Sequence, residues 1–113
     1  NASSSAEIQV KEREGEKILA GVKPGFLTVA LDPRAPLIAS EDIAALFGEL
    51  ELSGKNICFL IGGPLGLSPA VLAAVDRTIS FSRLTFTHTM IRLLLFEQIY
   101  RGFRILRGEP YHK

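Results

Sequence analysis

The chain has 113 residues, 47% of them apolar and 22% charged, with a formal net charge of +1. That is room for one domain around one core, in the composition of an ordinary soluble globular protein. No apolar run reaches membrane-spanning length, no signal peptide is visible, and the single cysteine, Cys58, excludes an internal disulfide. A lone thiol inside an apolar strand is inert and fits a reducing cytoplasm.

The chain opens on Asn1 rather than methionine. Asn1-Ala2 reads as the remnant of a cleaved expression tag, so residues 1–5 are expected to be tag remnant and linker ahead of a domain over 6–113. Residues 6–22 are dense in charge and end in Ile18-Leu19-Ala20, which predicts a solvent-washed helix, weakened at Gly15, whose last turn packs inward. Pro24-Gly25 breaks it, and 26–31 (FLTVAL) predicts a strand. The two prolines of Asp32-Pro33-Arg34-Ala35-Pro36 predict a loop. Ser40 is the expected cap of a second helix, with Glu41 and Asp42 in its first turn and Gly54 ending it. Ile43, Leu46, Phe47 and Leu50 make its apolar stripe.

Residues 56–61 are apolar at nearly every position, the pattern of a strand covered on both faces in the middle of a parallel sheet. This strand runs into Gly62-Gly63-Pro64-Leu65-Gly66-Leu67, after which Ser68 and Pro69 open a helix to about Val75. Strand, glycine turn and helix start is how α/β proteins bring backbone N–H groups to a ligand. A plain turn requirement is the competing reading of each glycine. The turn lacks the lysine of a phosphate loop, so a nucleoside triphosphate is not the expected ligand. A small strand is predicted at 78–81, then a polar stretch, then a long helix from about Thr89 to Leu106.

In that last helix Ile91, Leu94, Leu95, Ile99 and Phe103 mark one side, and Leu93, Phe96 and Tyr100 widen it. A helix apolar over most of its circumference needs cover on most of it. A homodimer through this helix is the economical source; a central position within one subunit is the alternative. Charge is uneven as well. Residues 1–76 carry six Lys/Arg and ten Asp/Glu, a balance of −4, while residues 77–113 carry seven and two, a balance of +5. A basic segment on an acidic one suggests a polyanion partner, and an arginine-rich solvated face is the plainer account.

Three motifs in order, IGGPLGLSP at 61–69, SFSRLTFTHTMIRLLLFEQIYRGFRI at 80–105 and EPYHK at the C-terminus, resemble one bacterial family. It is the SPOUT-class (α/β-knot) 23S ribosomal RNA pseudouridine N3-methyltransferases, the ribosomal large subunit methyltransferase H family. The resemblance runs from about Glu12 to the last residue. It implies an α/β fold, a mostly parallel sheet with helices on both faces and a C-terminal trefoil knot, an exception to normal connection rules. The family also carries a strand-helix-strand ahead of the point where this chain starts, so an N-terminally truncated domain is implied. Further implications are S-adenosylmethionine as cofactor, a cytoplasmic homodimer, and methylation of N3 of a pseudouridine in 23S rRNA on the ribosome. A non-catalytic dimeric knotted RNA-binding module, or an inactive fragment, is the alternative.

Carried over by residue, the resemblance assigns cofactor binding to Leu31, Gly63, Ser82, Arg83, Leu84, Thr85, Phe86 and Thr87. An apolar wall with backbone donors suits adenine and ribose, and Gly62 and Gly63 admit close backbone approach. Methyl transfer from a sulfonium needs alignment, exclusion of water and help for N3 to lose its proton. Candidate catalytic groups are His112, Tyr111 and Arg101; candidate RNA contacts are Arg92, His88 and Lys113. An ordinary i, i+4 ion pair with Glu97 competes for Arg101, and a structural hydrogen bond competes for His88. Lys113 stands where the family commonly has arginine, keeping the charge without the bidentate fork. Cys58 and the two histidines have no metal-ligand spacing, and no nucleophile elbow is present.

Overall fold

The computed structural model describes residues 2–62 and 65–110. Its elements are α1 (Ala2–Ala20), β1 (Phe26–Leu31), α2 (Ser40–Ser53), β2 (Asn56–Ile61), α3 (Pro69–Ala74), β3 (Arg77–Ile79) and α4 (His88–Leu106). The three strands form one parallel sheet in the order β2-β1-β3. Phe26 to Leu31 pair in step with Asn56 to Ile61, while Val29 to Leu31 pair with Arg77 to Ile79. A bridge between Leu37 and Ser80 prolongs the β1–β3 edge.

The chain steps from β1 to one neighbour and then across to the other. With right-handed crossovers that reversal sends α2 and α3 to opposite faces of the sheet. The packing follows. Val29, Ile79, Leu27, Ile57 and Phe59 meet α2 and α4 through Ile43, Leu46, Phe47, Leu50 and Phe103. Ala30, Cys58 and Leu60 meet α1 and α3 through Ile18, Leu19 and Val71. The Phe47 and Phe103 rings stack at 4.4 Å with 16° between their planes, joining α2 to α4.

Several local signals act as read. Ser68 accepts the Val71 N–H, Thr87 accepts the Met90 N–H, and Gly54 ends α2 at φ 69°. Four expectations need correction. Among the described residues β1, not β2, is the central strand; helices on both faces make β2 apolar, and that cover is independent of whether a strand is hydrogen-bonded on both edges. Ser40 is inside α2 rather than capping it. Its hydroxyl donates to Gln98 Oε1 of α4 at 2.6 Å, and Ala39 is the cap residue, its N–H donating to Asp42 Oδ2 at 2.9 Å. Helix α1 starts at Ala2 and ends at Ala20, two residues before the expected stop, and β3 sits at Arg77–Ile79 rather than 78–81. Cys58 is half-buried.

Gly15, read as a weak point of α1, is where the helix touches α3. A Cβ there would stand 2.5 Å from Ser68 Oγ and 2.9 Å from Val71 Cγ2. The lost propensity, about 1 kcal/mol against alanine, is the cost of that close approach.

The start of the β1–β3 pairing is fixed by Asp76. Its Oδ2 accepts the Thr28 N–H at 2.8 Å and the Thr28 hydroxyl at 3.0 Å. These bonds, the backbone one foremost and then the side-chain one, hold the carboxyl below its ordinary value, and the Lys55 and Arg77 charges add to them. A lowered folded-state pKa contributes stability that is complete above the unfolded value and lost as pH falls through the folded one. Stability should therefore fall as pH drops below about 4. Asp76→Asn should lower stability at pH 7 and flatten that acid decline in urea melts; an unchanged decline would remove Asp76 from the account.

Candidate functional site

The carboxyl ends of parallel strands, where the strand order reverses, are where open α/β sheets bind ligands. Here the last residues of all three strands, Leu31, Ile61 and Ile79, line one cavity of about 380 Å³. Its walls are three loops: Asp32-Pro33-Arg34 after β1, Gly62 with Leu65-Gly66-Leu67 after β2, and Ser80 to Ser82 with Leu84 to Phe86 after β3. His88 and Ile91 of α4 and Lys11 of α1 complete it. The glycine turn and the loop before the last helix, far apart in sequence, thus share one cavity.

Ser80 ties the loops together. It is 2% exposed, its N–H donates to the Pro36 carbonyl at 2.9 Å, and its hydroxyl donates to the Ser82 carbonyl at 2.7 Å. Ser82 Oγ in turn accepts the Leu84 N–H at 2.9 Å. Arg83 does not line the cavity; it clamps the first loop, with Nη1 donating to the carbonyls of Pro33 and of Ala35. Gly62 closes the second loop. A Cβ on it would lie 2.6 Å from the Gly66 carbonyl carbon and 2.8 Å from Leu67 N, both backbone atoms.

Of the expected cofactor residues, Leu31, Ser82, Leu84, Thr85 and Phe86 line the cavity. Arg83 and Thr87 do not: Arg83 is the clamp, and Thr87 caps α4. Gly63 lies outside the described residues, as do Tyr111, His112 and Lys113. His88 reaches the cavity. Arg92 is exposed on α4. Arg101 is paired with Glu97, Nη2 to Oε1 at 2.8 Å, the helix-surface pair that competed with its catalytic reading, and it does not line the cavity.

Sequence reasoning missed Lys11, Asp32, Arg34 and Ser80. Asp32 and Arg34 carry a signal, since they directly follow the carboxyl end of a strand at the reversal point. Asp32 Oδ1 accepts the Arg34 N–H at 3.0 Å and Nε at 3.3 Å, and Oδ2 accepts Nη2 at 3.2 Å. Burial alone would raise the Asp32 carboxyl. The Arg34 side-chain and backbone hydrogen bonds and the charges of Arg34 and Lys11 outweigh it and hold the group below its ordinary value. Asp32 is thus an anion in the cavity wall at neutral pH.

A family model described as "Predicted SPOUT methyltransferase" matches residues 1–112. The chain belongs to the SPOUT methyltransferase family. That match includes the residues read as tag remnant and linker. The chain is 61% identical over 113 residues to the "Putative ribosomal RNA large subunit methyltransferase H" of Methanocorpusculum labreanum, covering all of this chain and 72% of the relative. It is 49% identical over 114 residues to the ribosomal RNA large subunit methyltransferase H of Clostridium kluyveri, again covering 72% of that protein. The same-named protein of Pelotomaculum thermopropionicum is 48% identical over 113 residues. In this SPOUT chain, no group of His, Cys, Asp or Glu able to hold a metal occurs among the described residues. No helix among them is long and apolar enough to cross a membrane.

Proposed function

We infer that this chain is an S-adenosylmethionine-dependent methyltransferase acting on N3 of a pseudouridine in 23S rRNA of the large ribosomal subunit, in the cytoplasm. The observation that carries the reading is the one cavity shared by the glycine turn and the loop before α4, on a chain whose relatives are named ribosomal RNA large subunit methyltransferase H. The residues present fit the cofactor. Leu31, Leu65, Leu67, Leu84 and Phe86 offer an apolar wall for adenine, and the tight turn at Gly62 sets backbone groups at its edge. When bound, the cofactor supplies a methyl group already activated on its sulfonium. The chain's residues hold and orient the reactants and keep water out. His88, which lines the cavity, is proposed to contact the incoming nucleotide, and Arg92, exposed on α4, to meet RNA phosphate. Tyr111 and His112 are proposed for substrate positioning and proton removal, and Lys113 for RNA contact.

The C-terminal knot belongs to the same reading. It rests on the family resemblance; the Arg83 clamp and the Leu37–Ser80 bridge hold the stretch before α4 against the loop after β1. A homodimer through α4 is supported by the apolar side chains that helix leaves uncovered: Leu93 at 62% exposure, Phe96 at 63% and Tyr100 at 51%. Phe96→Asp should turn the dimer into monomer in sedimentation velocity while leaving the circular dichroism spectrum unchanged; a wild-type monomer would refute the dimer.

The function is tested with large subunits lacking the modification and cofactor labelled in its methyl group. Label should enter the large-subunit RNA, and mass spectrometry of the digest should find methylpseudouridine. Absence of cofactor binding at millimolar concentration would leave the non-catalytic RNA-binding module instead.

A further inference from the structure

The cavity wall is almost wholly uncharged. Its formal charges, apart from His88, are Lys11, Asp32 and Arg34, and they sit together. Arg34 is held on Asp32 through two nitrogens at 3.2 and 3.3 Å, yet its side chain is 73% exposed while that of Asp32 is 12% exposed. Lys11 is near enough for its charge to act on Asp32. Among the described residues Arg34 has no partner besides Asp32, and Lys11 has no hydrogen-bond partner. Lys11 is brought there by the seat of α1 on α3 at Gly15.

Adjacent charges of opposite sign select a ligand group that carries both signs on neighbouring atoms. A phosphate would be drawn by the two cations and repelled by the carboxylate beside them. An α-amino acid end, an ammonium and a carboxylate on one carbon, has the matching pattern. Resting on the cofactor reading above, we propose that Asp32, Arg34 and Lys11 form the subsite for the amino-acid end of the cofactor: Asp32 accepts from the ammonium, and Arg34 and Lys11 donate to the carboxylate. Charge-assisted bonds of this kind are about twice as strong as neutral ones. The fork between Arg34 and Asp32 holds the guanidinium in place before the ligand arrives, so little entropy is lost on binding.

The test uses two ligands that share the nucleoside and differ in the amino-acid end, S-adenosylhomocysteine and 5′-methylthioadenosine. Both are titrated by calorimetry into the full chain and into Asp32→Asn, Arg34→Gln and Lys11→Gln. Each substitution should weaken S-adenosylhomocysteine by roughly tenfold or more, the scale of one hydrogen bond to a charged group, and leave 5′-methylthioadenosine within about twofold. The truncated ligand reports whether the pocket is still folded. Equal losses for both ligands would make the cluster a loop staple and overturn the subsite. Unchanged S-adenosylhomocysteine binding with weakened RNA binding would make it a phosphate contact, and overturns it too. Wild-type protein that binds neither ligand would remove the cofactor reading itself, and the subsite with it.

Discussion

Gly62→Ala should destroy the ligand cavity while leaving a folded protein. The new methyl would meet the Gly66 carbonyl carbon at 2.6 Å and Leu67 N at 2.8 Å, and both belong to the chain that closes the turn. Backbone cannot rotate aside as a side-chain tip can, so the loop must open. Overpacking of this kind costs roughly 1–3 kcal/mol. Here the displaced atoms are the cavity wall, and each 1.4 kcal/mol taken from binding is about tenfold in affinity. S-adenosylhomocysteine should therefore bind at least about tenfold more weakly, with a modest fall in melting temperature. Gly21→Ala is the control, since its Cβ would have no neighbour nearer than 3.5 Å. Equal binding by both variants would show that the turn does not shape the site.

Phe47→Ala should cost about 3–5 kcal/mol, the usual loss for a buried aromatic ring. Phe47 is 3% exposed, lies among Val29, Ile43 and Leu46, and carries the stacked contact to Phe103 that joins α2 to α4. A domain of this size has about 5–15 kcal/mol in all, so the variant should be partly unfolded near body temperature. Leu52, on the same helix at 92% exposure, should tolerate alanine within about 0.5 kcal/mol. Urea melts of the two variants measure the difference. A loss at Phe47 no larger than that at Leu52 would mean that α2 and α4 do not share a core.

The strands β1 and β2 have the bounds their apolar runs indicate, and Ser68 and Gly54 cap the helices expected of them. These signals are local, each a matter of a few neighbouring residues. Ser40 shows where such reading stops. It has the chemistry of a cap, but Gln98 arrives from a helix 58 residues away and takes its hydroxyl. The central place of β1 was equally hidden, because facial cover and edge pairing leave the same apolar pattern. In the site, the loop residues 82 and 84–86 follow from the resemblance, and the tertiary structure places them on the cavity. Lys11 could not be foreseen there, since it lies on a charge-dense helix and reaches the cavity only through the contact made at Gly15.

Ser68 serves two elements at once. Its hydroxyl starts α3 directly after the glycine turn, and its side chain is the floor on which α1 rests at Gly15. Motions of the turn and of α1 are therefore linked, and linkage works in both directions. A ligand that steadies the turn steadies the first helix, and whatever loosens that helix raises the free energy of the filled site.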